Sequence, residues 1–249
     1  SNHSYKVLLS SNTVRKELKK INFNAYKKSI VLRPTFSNIP VKSFKSKMYL
    51  KQKFDIKNKY FFLPNHFWTH KNHVLILQSL IDLKKNNKIH NIQIICTGLF
   101  NDYRNPNHKK KIIKIIKNNN LENNFRILGI VNFDELMSLM KYSVAVINPS
   151  KSEGWSSTVE QAKSMGKFVL LSDLPVHKEQ NPDRSFYFKV NDHLALSQKL
   201  YNLNEKFSYK KDNIFIKKSF YQTKYKKKKF ILDYEKIVKK VIHESNKSN

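Results

Sequence analysis

The chain has 249 residues, of which 40% are hydrophobic, and carries a formal net charge of +30. This hydrophobic content supports a buried core, so the composition excludes an intrinsically disordered chain. With Cys96 as the single cysteine, an internal disulfide and a cysteine-based zinc site are excluded, and no apolar run approaches the roughly 20 residues of a membrane-spanning helix.

The excess of lysine and arginine predicts attraction to an anionic partner, which is nucleic acid, an acidic membrane surface or a phosphorylated ligand. Lysine and asparagine are, however, abundant along the whole chain, for example at 84–88 and 117–120. A general coding bias would produce the same pattern. The charge alone therefore selects no function.

The first 50 residues show a short α/β pattern. Residues 5–10 are strand-like, 14–21 helix-like and 28–33 strand-like before Pro34. This pattern indicates the end of another α/β layer, too short to fold alone.

From about residue 57, short apolar runs alternate with helical patterns. Strands are predicted at 60–63, 92–96, 125–128, 144–147, 168–171 and 186–188, and helices at 73–84, 108–117, 133–140 and 157–164. Strict alternation favours a parallel sheet with helices on both faces, and runs that are apolar throughout indicate burial on both sides. We therefore predict a Rossmann-like α/β domain over 51–205, followed by a basic helical segment over 206–249.

The four glycines are Gly98, Gly129, Gly154 and Gly166, and the first three follow predicted strands closely. Ligands of open α/β sheets bind outside the carboxyl ends of the strands, where glycine lets backbone approach a ligand. Ordinary turn glycines are the alternative. The sequence contains neither GxGxxG nor GxxxxGK[ST], so it supports neither a dinucleotide fingerprint nor a P-loop.

Residues 148–162 join the fourth predicted strand to a helix through a turn rich in small hydroxyl residues. These hydroxyls can cap the helix, and a helix N-terminus facing the crevice suits a diphosphate. Glu153 in this turn can accept hydrogen bonds from sugar hydroxyls, and Glu160 or Gln161 from ribose hydroxyls. A simple loop and cap is the alternative interpretation.

Glu153-Gly154-Trp155, followed by a helix that carries a carboxylate, resembles the Glu-x7-Glu signature of the family-4 (group 1) retaining glycosyltransferases, which have the GT-B fold. The similarity continues through 163–167 and 171–177 and reaches back to 63–73. It covers about residues 55–205. The chain thus resembles the C-terminal, donor-binding half of such an enzyme, and residues 1–50 would be the tail of its N-terminal acceptor domain and a linker.

This resemblance implies roles for individual residues. Lys71 and Glu153 would be catalytic, Lys71 by neutralising the donor diphosphate. Glu153 and Gly154 would line the donor sugar. Ser156 and Ser157 would offer backbone N–H groups to the phosphates.

The remaining implied contacts concern the nucleotide. Gly98 would border its crevice, and Gly129, Ile130 and Val131 would contact the base through the main chain. Trp155 is a candidate for stacking on a base or a sugar, with ordinary packing as the alternative.

Two positions depart from the family pattern. The residue eight positions after Glu153 is Gln161, where the family usually has Glu, and Glu160 stands one residue earlier. His66 stands five residues before Lys71, where the family often has Arg. Both departures bear on nucleotide affinity.

The implied function is transfer of a glycosyl unit from a nucleotide-diphospho-sugar to an acceptor hydroxyl with retention, in cell-surface polysaccharide or glycan biosynthesis. No metal or cofactor is predicted. The expected partners are the donor, a glycan or lipid-linked acceptor, an anionic membrane surface and the missing N-terminal domain. We expect a cytoplasmic protein, peripheral at the inner face of the membrane, that binds nucleotide but transfers little sugar by itself.

Three alternatives stay open. Aromatic residues such as Tyr225 and Phe230 among lysines favour a basic nucleic-acid-binding module. Gln161 favours a degenerate, non-catalytic glycosyltransferase domain. The spacing of His66, His70 and His73 would place them on one helix face, as a metal site requires. Pro64 and Trp68 instead favour a loop leading into a helix there.

Overall fold

A computed structural model describes residues 5–36 and 44–246. The N-terminal layer, residues 5–36, contains β1 (Val7–Leu9), α1 (Asn12–Ile21), α2 (Phe23–Lys27) and β2 (Ser29–Val31). The rest contains α3 (Lys47–Phe54), β3 (Tyr60–Pro64), α4 (His73–Lys85), β4 (Gln93–Thr97), α5 (Asn107–Asn118), β5 (Phe125–Ile127), α6 (Phe133–Tyr142), β6 (Val146–Asn148), α7 (Ser157–Ser164), β7 (Val169–Ser172), α8 (Pro175–Gln180), β8 (Ser185–Phe188), α9 (His193–Lys206) and α10 (Tyr209–Asn246). The parts of the predicted segments at 1–4, 37–43 and 247–249 lie outside the described residues.

The main sheet has six parallel strands in the order β5-β4-β3-β6-β7-β8. The chain adds β4 and β5 on one side of β3 and then returns to place β6 on the other side. The connections that leave β3 and β6 therefore run in opposite directions across the sheet. This is a topological switch point, where open α/β sheets bind their ligands.

Apolar side chains cover both faces of this sheet. Phe61 and Leu63 of β3 belong to one core, with residues of α4, α5 and α9. Phe62 belongs to the other core, with residues of α3, α6 and α7. Because successive residues of a strand point to opposite faces, a strand covered on both sides is apolar at every position. The predicted parallel sheet with helices on both faces is confirmed.

All six strands predicted for this sheet are present, with small shifts at their ends. The strand predicted at 144–147 forms over Val146–Asn148, and that at 168–171 over Val169–Ser172. Helices α4 to α7 lie where the apolar spacing predicts them. The apolar patterns of the sequence did not predict α2, α3, α8 and α9.

The N-terminal layer is a small parallel unit of its own. β1 pairs with β2, with Leu8 opposite Ile30, and α1 lies between these strands in the chain. The predicted strand–helix–strand order is thus present. α1 also contacts α8 of the main domain, so the layer is docked near the carboxyl ends of the main strands.

A buried ion cluster fixes the start of α10, a helix of 38 residues. The ammonium of Lys167 binds the carboxylate of Asp212 and donates to the carbonyl oxygen of Ser143 at 2.7 Å. Arg184 donates to the other oxygen of Asp212 at 2.7 Å. Burial lowers the pKa of Lys167 to about 8, so the ammonium stays charged at neutral pH. Removal of Asp212 would leave the buried ammonium of Lys167 without its carboxylate, so this cluster ties α10 to the sheet.

Across residues 5–36 and 44–246, the helices lack the combination of length and apolarity that crossing a bilayer requires. Cys96 is a free, buried thiol in β4.

Candidate active site

A crevice with a volume of 410 Å³ opens at the switch point. Asn65 and Gly98, which follow β3 and β4, form part of its floor. Ser156 and Ser157, at the start of α7, form the opposite side. The topology of the sheet therefore brings together segments that are almost a hundred residues apart in sequence.

A buried ion pair joins the two sides of the crevice. The ammonium of Lys71 lies 2.5 Å from Oε1 of Glu153, and the two side chains are 14% and 9% exposed. Ser150 donates to the same carboxylate oxygen at 2.7 Å. Lys71 ends a short 3₁₀ helix, and the left-handed backbone of Asn72 (φ 58°) redirects the chain into α4. Burying a charge carries a desolvation cost. Here the attraction between the ammonium and the carboxylate offsets that cost for both groups.

Buried hydrogen bonds fix the β6–α7 loop, residues 149–156. Asn148 donates to Oγ of Ser156 at 2.6 Å, and Ser172 donates to the carbonyl oxygen of Ser150 at 2.6 Å. Gln180 donates to the carbonyl oxygen of Ser156 at 2.9 Å. Satisfied buried polar networks of this kind hold a backbone in one conformation.

The N-terminus of α7 borders the crevice beside Lys71. Ser156 caps this helix, because its hydroxyl accepts from the backbone N–H of Val159. Ser157 and Thr158 of the first turn line the crevice. Free N–H groups and the helix dipole make such a terminus attractive to an anion. With the ammonium nearby, the crevice has the donors and the positive charge that a phosphorylated ligand requires.

Gly98 lets two loops meet at the crevice floor. Its φ is +118°, and a Cβ placed there would lie 2.9 Å from both the carbonyl oxygen of Asn65 and the backbone nitrogen of His66. Its own N–H donates to the carbonyl oxygen of Gly129 at 2.7 Å. A side chain at this position would push the β3 loop away from the β4 loop.

We expect Gly98→Ala to lower the free energy of unfolding by about 2 kcal/mol, because the new Cβ meets rigid backbone and the φ is unfavourable. Gly154→Ala is the matched control, since its Cβ would meet only Val14 at 3.7 Å. Urea denaturation measures both. Equal losses in the two variants would contradict the close approach at Gly98.

Most of the predicted site residues line this crevice. They are Lys71, Gly98, Ile130, Val131, Glu153, Trp155, Ser156, Ser157 and Gln161.

Three predicted residues do not line it. Gly129 is not a lining residue, and its carbonyl oxygen accepts from the backbone N–H of Gly98. Gly154 turns its carbonyl oxygen to Ser11 of the N-terminal layer, at 3.2 Å. Glu160 is buried outside the crevice, and its carboxylate accepts from Gln180 at 3.1 Å.

Of the two residues that the sequence offered as ribose contacts, Glu160 and Gln161, the structure does not support Glu160. Residues 160 and 161 of α7 point about 100° apart around the helix axis, and Gln161 is the one that lines the crevice. Burial raises the pKa of Glu160, while Lys163 and Gln180 oppose that shift. Glu160 thus belongs to the packing of α7 against α8.

Several lining residues were not predicted from the sequence, among them Asn65, Thr97, Phe133, Leu136 and Thr158. Asn65 and Thr97 sit at the ends of β3 and β4, so the strand-end rule used for the glycines also applies to them. Phe133 and Leu136 fit the apolar spacing of α6 and gave no sign of facing a crevice.

In the described part of the chain, no group of three or more His, Cys, Asp or Glu side chains is placed to hold a metal ion. His66 is exposed beside Trp68, whereas His73 is buried and its ring stacks on Phe67 with centroids 4.0 Å apart. The side chains of His66 and His73 therefore lie in different environments and do not face a common site.

The parallel sheet and the crevice at its switch point define an α/β domain of the class that binds ligands outside the carboxyl ends of its strands. Residues 46–239 match the family of group 1 glycosyl transferases, and the chain belongs to this family. A search of curated proteins gave no match.

Solved glycosyltransferases share the fold. A glycosyltransferase from Rickettsia africae superposes with a TM-score of 0.76 at 19% identity, over 95% of this chain and 63% of that one. Anabaena HepE, in complex with UDP and glucose, gives a TM-score of 0.76 at 14% identity, over 96% and 64%. The pneumococcal O-GlcNAc transferase GtfA, in complex with UDP and GlcNAc, gives 0.66 at 13% identity, over 97% and 46%. The chain thus spans less than two thirds of each of these proteins.

Proposed function

We propose that this chain binds a nucleotide-diphospho-sugar and forms the donor side of a retaining glycosyltransferase. The observation that carries the proposal is the buried Lys71–Glu153 pair beside the N-terminus of α7. A cation and free backbone N–H groups can receive a diphosphate, and a carboxylate at the same point can receive sugar hydroxyls. The complexes of HepE and GtfA with UDP support a nucleotide ligand.

In this proposal, ligand binding rearranges the ion pair. The ammonium of Lys71 turns to the diphosphate, and the backbone N–H of Ser157 donates to its oxygens. The N–H of Ser156 can join it only by leaving its 3.4 Å hydrogen bond to the side-chain oxygen of Gln180. Glu153 then gains the sugar hydroxyls as donors in place of the ammonium. Ser150 keeps its hydrogen bond to Glu153, so the carboxylate stays oriented throughout.

The other walls receive the nucleoside. Gln161 of α7 lines the crevice. Its neutral amide would accept hydrogen bonds from the ribose hydroxyls or donate to them. The backbone of Ile130 and Val131 borders the base, and Phe133 adds an apolar surface for it. Trp155 also lines the crevice, where its ring would stack on the base or the sugar.

During transfer, the bond from the anomeric carbon to the phosphate oxygen breaks and an acceptor hydroxyl oxygen forms the new bond to that carbon. Negative charge builds up on the departing diphosphate, and its leaving oxygen accepts the proton of the acceptor hydroxyl. Lys71 and the α7 N-terminus stabilise that charge as it develops, a role that requires no cofactor or metal. Retention of the anomeric configuration follows from the family-4 resemblance.

The acceptor belongs to the wider proposal. We assign a glycan or lipid-linked acceptor, bound by an N-terminal acceptor domain, in cell-surface polysaccharide or glycan biosynthesis. Lys227, Lys228 and Lys229 are exposed on α10, followed by the exposed side chains of Ile231 and Leu232. A basic, partly apolar helix supports peripheral contact with an anionic membrane that carries such an acceptor.

Calorimetric titration with UDP, GDP, ADP and their sugar conjugates tests the proposal. We expect saturable binding of one nucleotide class, with Glu153→Gln weakening the sugar conjugate more than the free diphosphate. The free diphosphate lacks the sugar hydroxyls that Glu153 receives, which is why the two ligands respond differently.

Absence of binding to every nucleotide by the folded protein would contradict the proposal. Binding to random-sequence DNA with a steep salt dependence, and no competition by nucleotides, would instead support a polyanion-binding protein.

A further inference from the structure

Glu179 of α8 caps a helix of the N-terminal layer. α1 has no acidic residue in its first turn, although a helix N-terminus favours negative charge. The carboxylate of Glu179 occupies that position from a distant part of the chain. It accepts from the backbone N–H groups of Asn12 at 2.8 Å and Thr13 at 3.1 Å. α1 therefore depends on α8 for the charge at its N-terminus.

The carboxylate of Glu179 also binds a residue at the other end of the N-terminal layer. Arg33, which follows β2, donates to Oε1 of Glu179 through Nε at 3.0 Å and Nη2 at 2.7 Å. Burial opposes ionisation, but hydrogen bonds from Asn12, Thr13 and Arg33 outweigh it and lower the pKa of Glu179. One ionised side chain thus joins the start of α1 and the end of β2 to the main domain.

α8 is in turn bonded to the β6–α7 loop. Gln180, the residue after Glu179, is fully buried. Its amide accepts from the backbone N–H of Ser156 at 3.4 Å and donates to the carbonyl oxygen of Ser156 at 2.9 Å. Neighbouring residues of one short helix therefore contact the N-terminal layer and the crevice loop.

A second contact reaches the loop directly. Ser11 is fully buried, and its hydroxyl accepts from the backbone N–H of Val14 at 3.0 Å as the cap of α1. The same hydroxyl donates to the carbonyl oxygen of Gly154 at 3.2 Å. Gly154 lies between Glu153 and Trp155, which both line the crevice.

We infer that Glu179 is a positioning residue that, with Ser11, makes the conformation of the β6–α7 loop depend on docking of the N-terminal layer. The coupling itself rests on these contacts alone. Its effect on a sugar ligand rests on the proposed function. When the layer undocks, the loop around Glu153 loosens, while the wall at Ile130 and Val131 keeps its structure.

Hydrogen exchange on the full chain tests the coupling without any ligand. We expect Glu179→Ala to raise amide exchange about 10-fold in α1 and in residues 150–156, with no change in β4. Lys178→Ala is the matched control, because this adjacent residue of α8 forms an exposed ion pair of 3.2 Å with Asp173. Faster amide exchange in α1 with unchanged exchange in residues 150–156 would overturn the coupling. So would equal increases in exchange in Glu179→Ala and Lys178→Ala.

Ser11 supplies an independent pair of variants. Asp at this position still accepts from Val14, but its carboxylate cannot donate to Gly154 and repels that carbonyl oxygen. Thr keeps both hydrogen bonds. We expect Ser11→Asp to raise loop exchange about 10-fold and Ser11→Thr to leave it unchanged. This pair decides the question if Glu179→Ala fails to fold, and equal exchange in the two variants would overturn the inference.

Ligand affinity tests the consequence for the site. Calorimetry would compare UDP-glucose with UMP, GDP-mannose with GMP, and ADP-glucose with AMP. For the pair that the wild-type protein binds, we expect Glu179→Ala to weaken the sugar conjugate about 10-fold and the monophosphate less than 2-fold. Equal weakening of both ligands would overturn the positioning role. If the wild-type protein binds none of the six, the proposed function fails, and hydrogen exchange alone decides the coupling.

Discussion

Lys71→Met is expected to weaken binding of the cognate nucleoside diphosphate about 100-fold, or about 2.7 kcal/mol, in calorimetric titration. The substitution removes a charge-assisted contact to the phosphates. It also leaves the carboxylate of Glu153, 9% exposed, without its cation. An unpaired carboxylate at this point repels the incoming diphosphate, so both effects act in the same direction.

Two further variants separate these effects. Lys151→Met removes an exposed cation from the same loop, and we expect less than a 2-fold change at physiological salt, since exposed charges are screened. In Lys71→Met/Glu153→Gln, the repulsion is absent, so the loss should shrink to about 10-fold. Equal losses from Lys71→Met and Lys151→Met would mean that affinity reflects the overall positive charge and not a defined site.

His73→Phe is expected to flatten the pH dependence of stability by about 2.5 kcal/mol between pH 7 and pH 4.5. Burial, with His108 nearby, lowers the pKa of His73 to about 3. Unfolded histidine binds a proton near pH 6.5, so in this range the unfolded state binds more protons than the folded state. Stability is therefore complete above pH 6.5 and is lost progressively as the pH falls towards 3.

Urea denaturation of the wild-type protein and the variant across this range measures the difference. Phenylalanine is a suitable replacement because the His73 ring already stacks on Phe67 at an interplanar angle of 17°. His90→Phe, at an exposed position, is the control for the substitution itself. A parallel pH profile for His73→Phe would show that the His73 ring does not resist protonation.

The sequence determined the layer architecture of the main domain, because its information is local. Runs such as 60–63 and 144–147 are apolar at every position, as a strand buried on both faces requires. The intervening helices have regular apolar spacing, and glycines mark several strand ends. Together with the Glu153-Gly154-Trp155 segment, these signals predicted both the sheet and most of the crevice lining.

Only the tertiary structure decided which polar side chains meet. The 2.5 Å pairing of Lys71 with Glu153 depends on β3 and β6 being neighbours, a long-range pairing that no local pattern encodes. The choice of Gln161 over Glu160 depends on which side of α7 packs against α8, since adjacent residues of a helix point in different directions. The cap that Glu179 provides for α1 joins positions more than 160 residues apart. Local spacing fixes the elements of this protein, whereas the order of the strands and the docking of the layers fix the chemistry between them.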